Sequence, residues 1–237
     1  MLNFLYFLTY FITYLRVITI HIVIMFQKFF LSLSLFSVVN AYDNCPQIQT
    51  VNNLNLTEYI RAPWYIQMQQ ETPYLPNNTN YCVLAKYNRT QRSVPFFSGT
   101  VLSVYNYANR DRVNGYNLNK NNYTLCARVP NVNETSKLIV APCFLPNIFG
   151  GDYWILYAGP QTNNYEYAIV SGGPTNIRYN NGCSTSTTNI NNSGLWIFTR
   201  NQTVSDSLIE NLIVYLVSRG ITPELLNKVN QTGCLYH

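Results

Sequence analysis

Between Trp64 and Arg200 the chain has no spacer of helical length and period of the kind that joins parallel strands. Short runs rich in Tyr, Val and Ile alternate instead with clusters of Asn, Gly, Pro and Ser. Such runs suit a pleated surface, and the clusters between them read as turns. They are Trp64–Gln70, Tyr81–Asn88, Gly99–Asn106, Val113–Asn117, Tyr123–Val129, Lys137–Phe144, Tyr153–Ala158, Tyr165–Ser171 and Leu195–Arg200. Most connections are short enough for hairpins, which makes sequence neighbours antiparallel. The stretch from Pro174 to Gly194 is longer and polar, and is expected to be a mobile surface loop unless Cys183 ties it down.

After Arg200 the period changes. Thr203-Val204-Ser205-Asp206 offers an N-cap and Gly220 a stop. Leu208, Leu212, Tyr215, Leu216 and Arg219 recur between them at helical spacing. Thr222-Pro223-Glu224 is expected to start one last short turn. The pattern predicts an all-β fold: an eight-stranded antiparallel up-and-down β-barrel with one C-terminal α-helix packed outside. A β-sandwich is the alternative that the pattern leaves open.

The N-terminal end reads as a leader. Residues 2–26 are almost wholly apolar and long enough to span a bilayer. A second pattern starts inside them: a short basic region at Met25-Phe26-Gln27-Lys28, an apolar run from Phe29 to Val39, and small residues at Val39-Asn40-Ala41. That is the layout of a cleaved signal peptide. Residues 1–41 are therefore expected to be removed, with a true start possible at Met25, leaving one domain over 42–237. The alternative is a retained anchor, in which case the leader is the only membrane contact expected.

Composition excludes several chemistries. Charged residues make up 11%, against about 25% in an ordinary soluble domain. The formal charge of +5 falls to +3 without Arg16 and Lys28. No basic stripe remains, so no nucleic-acid partner is expected. The two histidines are His21, in the leader, and His237, the last residue. A histidine base for a Ser or Cys nucleophile is therefore missing from the body, as are imidazole ligands for a metal. No metal or cofactor is expected.

Six cysteines follow the leader: Cys45, Cys82, Cys126, Cys143, Cys183 and Cys234. An even number in an exported chain reads as disulfides, and six thiols allow 15 pairings. One pair is legible from spacing. Opposed residues in a hairpin have a constant index sum, and 126 with 143 centres the turn on Glu134-Thr135, inside a polar stretch. A Cys126–Cys143 bridge between directly facing strands is predicted. Sequons stand at Asn55, Asn77, Asn88, Asn122, Asn133, Asn191, Asn201 and Asn230, and each permits a glycan where it is exposed in the secretory path.

Three segments together resemble the signatures of the lipocalin family. Asn55-Leu56-Thr57-Glu58-Tyr59-Ile60-Arg61-Ala62-Pro63-Trp64-Tyr65-Ile66 is similar to the turn and G-x-W of their first strand, with Ala62 in the place of the glycine. Tyr153-Trp154-Ile155-Leu156 followed by Tyr165-Glu166-Tyr167-Ala168-Ile169-Val170 resembles the second signature. Leu195-Trp196-Ile197-Phe198-Thr199-Arg200, ahead of the helix, resembles the third. The likeness covers nearly all of the chain after the leader. It implies bridges Cys45–Cys183 and Cys82–Cys234.

The resemblance also assigns roles. Trp64 and Arg200 match the tryptophan and arginine that meet at the closed end, a structural plug. Strand alternation puts Trp196, Phe198 and Arg200 on one face and Ile197 and Thr199 on the other. Trp196, Phe198, Tyr87 and Asn106 match positions that line the family's ligand pocket. The function implied is a secreted carrier of a small hydrophobic ligand (a lipid, sterol, retinoid or pigment), with no enzyme activity. Two alternatives stay open. One is a barrel filled by its own side chains that acts through its surface as an adhesion glycoprotein. The other is a lipid-modifying enzyme, which would need a free thiol or a cavity carboxylate, with Asp111 and Asp152 the conceivable acids.

Overall fold

A computed structural model describes residues 44–236. The leader, the start at Met25, cleavage after Ala41, and both histidines lie outside the described residues.

The chain enters through a one-turn helix, α1 (Leu56–Tyr59). It then forms β1 (Trp64–Gln70), β2 (Tyr81–Arg89), β3 (Val101–Arg110), β4 (Tyr116–Asn117), β5 (Thr124–Arg128) and β6 (Lys137–Ala141). β7 (Gly151–Gln161), β8 (Asn164–Ser171), β9 (Ile177–Tyr179), β10 (Gly182–Ser184) and β11 (Leu195–Thr199) follow. A helix, α2 (Asp206–Ser218), and a short strand, β12 (Leu226–Lys228), end the fold. Eight strands pair in sequence order, β1-β2-β3-β5-β6-β7-β8-β11, and β11 pairs back with β1, all antiparallel. Closure removes the sheet edges. The result is the expected up-and-down barrel with its helix outside.

Side-chain alternation divides the hydrophobic residues between two cores. Inward-facing Trp64, Ile66, Val83, Ala85, Leu102, Val104, Ile155, Val170 and Phe198 pack in the barrel. Outward-facing Leu156, Ile169, Leu195 and Ile197 pack under Leu212 and Leu216 of α2. Ser205 caps α2 by accepting the Leu208 N–H, and Gly220 ends it with φ +73°. Tyr215 of the helix stacks on Tyr157 of β7, ring centroids 4.3 Å apart.

The short turn expected at Thr222-Pro223-Glu224 is present, closed by the Leu226 N–H donating to Pro223 O. The strand that follows it, Leu226–Lys228, departs from expectation. It pairs with Met68–Gln70 of β1, while β2 pairs with β1 only at Trp64 and Tyr65. The chain then bridges the gap between β1 and β2: Val229 N–H donates to Gln67 O, and Cys82 N–H donates to Asn230 O. Buried Gln231 completes the seam, its Nε2 donating to Ile66 O at 2.8 Å and to Val83 O at 2.7 Å.

All six cysteines pair, as Cys45–Cys183, Cys82–Cys234 and Cys126–Cys143. The register predicted for the last pair is corrected. Cys126 stands opposite Ala141, and Cys143 lies beyond the end of β6. The turn is tighter than the index sum assumed, so the bridge runs diagonally. The expected mobile loop is also corrected in part. Gly182–Ser186 is buried, tied by Cys45 and by Gln70, whose Oε1 accepts from Ser184 and Thr185 and whose Nε2 donates to Ser186 O. Its exposed parts are residues 176–178, 180–181 and 188–192.

Candidate functional site

The two ends of the barrel differ. At one end the segment 50–62 crosses the opening. Thr135 Oγ1 donates to Leu54 O at 2.9 Å, and the Trp64 indole N–H donates to Tyr59 O at 2.9 Å. The Arg200 guanidinium lies over the Trp64 ring, its carbon 3.5 Å from the centroid. It donates to the carbonyls of Tyr165, Ala62, Pro63, Glu58 and Tyr59. All five guanidinium N–H groups are thereby used on backbone. Burial pulls the Arg200 pKa down to about 10, with Arg61 also lowering it. Phe198 and Tyr87 are buried just inside this end, with the Phe198 ring 6.1 Å from that of Trp64. Tyr59, Trp64, Tyr87 and Phe198 pack against one another to form the floor.

The opposite end is open on its inner face. Trp196, Leu125, Val140 and Tyr153 all pack against the inner core yet remain only half-buried. Asn106 shares the inward parity of Leu102, Val104 and Ala108 on β3, and it is exposed. The outward neighbours of Trp196, Leu195 and Ile197, are fully buried beneath α2, whereas Asp152, Trp154 and Ile139, beside Tyr153 and Val140, are partly exposed. The accessible surface of Trp196 therefore faces into the barrel. The four residues expected to line a pocket do share the inner face, at two depths: Tyr87 and Phe198 in the packed floor, Trp196 and Asn106 in the open half.

Sequence reasoning missed the polar group at the junction. Tyr153, on the inner wall of β7, meets two other tyrosines through its hydroxyl. Its oxygen is 2.7 Å from that of Tyr59 and 2.8 Å from that of Tyr87. Burial raises the pKa of all three, so they are neutral phenols at physiological pH. The alternation Tyr153, Ile155 on β7 carried a signal for the inward position of Tyr153. Tyr59 gave none, because it sits on the turn that covers the floor.

The candidate acids lie elsewhere. Asp111 is exposed in the turn after β3, accepting from Asn78 Nδ2 at 3.1 Å. Asp152 has the outward parity of Trp154 and Leu156, and burial raises its pKa. Two shallow depressions lie on the outside, of about 390 Å³ between Pro46–Gln49 and Ser218–Gly220 and about 430 Å³ beside Arg178, Tyr179, Asn180 and Glu224.

The described residues thus form a closed eight-stranded antiparallel barrel, plugged by an arginine on a tryptophan and flanked by one helix. No protein-family model matches the chain, and no curated protein matches it in sequence. Solved structures similar to it include Per a 4, a major allergen from cockroaches, at 17% identity, with 79% of this chain and 96% of that one covered and a TM-score of 0.47. Apocrustacyanin C1 is 16% identical over 81% of this chain and 94% of its own, with a TM-score of 0.49. Lobster apocrustacyanin A1 is 15% identical over 82% and 94%, with a TM-score of 0.46.

Proposed function

We propose that this chain is a secreted lipocalin, of the apolipoprotein D type, that carries a small hydrophobic molecule in the open half of its barrel. One observation carries the reading: Trp196 on the inner wall keeps accessible surface while its outward neighbours Leu195 and Ile197 have none. Trp196, Leu125 and Val140 form an apolar wall, with Tyr153 and Asn106 as polar handles, which is the usual makeup of a small-molecule site. Burying 300 Å² of ligand at about 25 cal/mol per Å² contributes on the order of 7 kcal/mol before association costs. Three disulfides suit an oxidising compartment. Seven sequon asparagines are exposed. Asn55 is the exception: it caps α1, and its Nδ2 donates to Asn163 at 2.9 Å.

Native mass spectrometry of the protein purified from its own source tests this. An extra few hundred daltons, lost on denaturation, is the expected result. A repeated bare polypeptide-plus-glycan mass, with no uptake of added apolar probes, would support a filled barrel acting through its surface. The position of both depressions outside the barrel favours that second reading.

A further inference from the structure

The tyrosine cluster restricts what the cup can hold. Three hydroxyls carry three protons, each able to donate once. Tyr59, Tyr87 and Tyr153 make two mutual contacts. Two contacts use two protons, whichever way each bond points. One O–H is left over, and among the described residues no protein group accepts it. A buried donor without a partner is costly, so the cluster favours a hydrogen-bond acceptor placed against it. It reaches the open half through Tyr153, the one member that is only half-buried.

The charge of that acceptor follows from Arg200. This cation acts on both Tyr59 and Tyr87, and all its N–H groups are held by backbone carbonyls. A buried carboxylate would find no free ionic donor at the floor, and an unpaired buried charge is strongly disfavoured.

We propose that the tyrosine cluster is a recognition site for a neutral carbonyl, so that the carried molecule is a ketone, aldehyde or ester whose oxygen points to the floor and whose apolar body fills the open half. This rests on the carrier reading above.

The test uses 2-dodecanone labelled with ¹³C at the carbonyl, with dodecane and dodecanoate as matched probes, and the folded, disulfide-intact protein. Binding is followed by tryptophan fluorescence, and the carbonyl by infrared difference spectroscopy. The expected result is ketone binding about tenfold tighter than dodecane or dodecanoate, one neutral hydrogen bond being worth about that factor, with the carbonyl band lowered relative to the ketone dissolved in dodecane. The triple variant Tyr59→Phe/Tyr87→Phe/Tyr153→Phe should lose both the preference and the band shift while still binding dodecane. If the ketone binds with an unshifted band, or dodecane or dodecanoate binds as well, the carbonyl site is wrong and the carrier reading stands. If none of the three probes binds, both fail. The band of the unaltered protein decides the matter even if the triple variant does not fold.

Discussion

Arg200 and Trp64 stack with the guanidinium carbon 3.5 Å from the indole centroid, 136 residues apart in sequence and locked by five backbone carbonyls. Replacing the guanidinium removes a donor from each of those carbonyls, although Tyr59 O keeps the Trp64 indole N–H, and Glu58 O and Tyr165 O keep N–H groups of Arg61. Arg200→Met should cost about 3–5 kcal/mol, since hydrogen bonds to a charged group contribute about 1.5–3 kcal/mol each and are not additive. Arg200→Lys should recover less than half, because an ammonium lacks the planar fork. Urea denaturation of both variants measures this, and equal stability of Lys and Arg would refute it.

The buried phenols give the fold an alkaline limit. Tyr59, Tyr87 and Tyr153 titrate above their unfolded value near 10. Above pH 10 the unfolded chain releases protons that the folded one keeps. Their stabilisation is therefore complete below pH 10 and is lost as pH rises beyond it, by up to about 1.4 kcal/mol per pH unit for each. Arg200, lowered to about 10, works in the opposite direction between 10 and 12.5 with at most one such increment. The net slope is downward. Denaturation at pH 9, 10.5 and 11 should show falling stability, with a shallower slope in Tyr87→Phe.

Phe198 and Trp196 separate stability from binding. Phe198 is 3% exposed beside Trp64, so Phe198→Ala should cost about 3–5 kcal/mol. Trp196 is half-buried on the open wall, and Trp196→Ala should cost less stability yet weaken uptake of an apolar probe severalfold. Titration of each folded variant with 2-dodecanone checks the split; unchanged affinity in Trp196→Ala would count against the cup.

The seam at Gln231 predicts a local effect. Gln231→Leu leaves Ile66 O and Val83 O unpaired and should cost about 2–3 kcal/mol. Hydrogen exchange should rise first at the amides of Val229 and Cys82, which bond Gln67 and Asn230 across the same seam. Uniform acceleration over the whole barrel would show that the seam has no local stability of its own.

The disulfides should rank by the chain they close. Cys126–Cys143 spans 17 residues and Cys45–Cys183 spans 138. Loop-closure entropy gives about 3 kcal/mol for the short bridge and roughly 5 for the long one. Paired Cys→Ala variants, compared by thermal unfolding, should keep that order.

The strand order and the helix were legible because alternation and helical spacing are local. Trp64–Gln70 matches β1 to the residue, and the cap at Ser205 and stop at Gly220 fall where they were read. What escaped depends on chain distant in sequence. β12 exists because β2 diverges from β1 and leaves an edge to fill; Leu226-Asn227-Lys228 has no strong strand pattern of its own. Gly182–Ser186 looks like polar loop, and it is buried by Gln70 and Cys45, more than 110 residues away, and by Gly220 and Thr222, which bond the Cys183 backbone. For the site, alternation placed Trp196 and Phe198 on one face. It could not say that Phe198 lies in a packed floor and Trp196 above it, because depth depends on what α1 brings across the opening.

The seam between β1 and β2 sets an order on biosynthesis. Its mortar is Leu226–Gln231, residues synthesised after all eight barrel strands. Until they emerge, the upper half of β1 and the start of β2 face each other as open strand edges. The wall can therefore be completed only once Leu226–Gln231 has emerged, and a nascent chain that still lacks this segment presents a gap to other proteins or to chaperones.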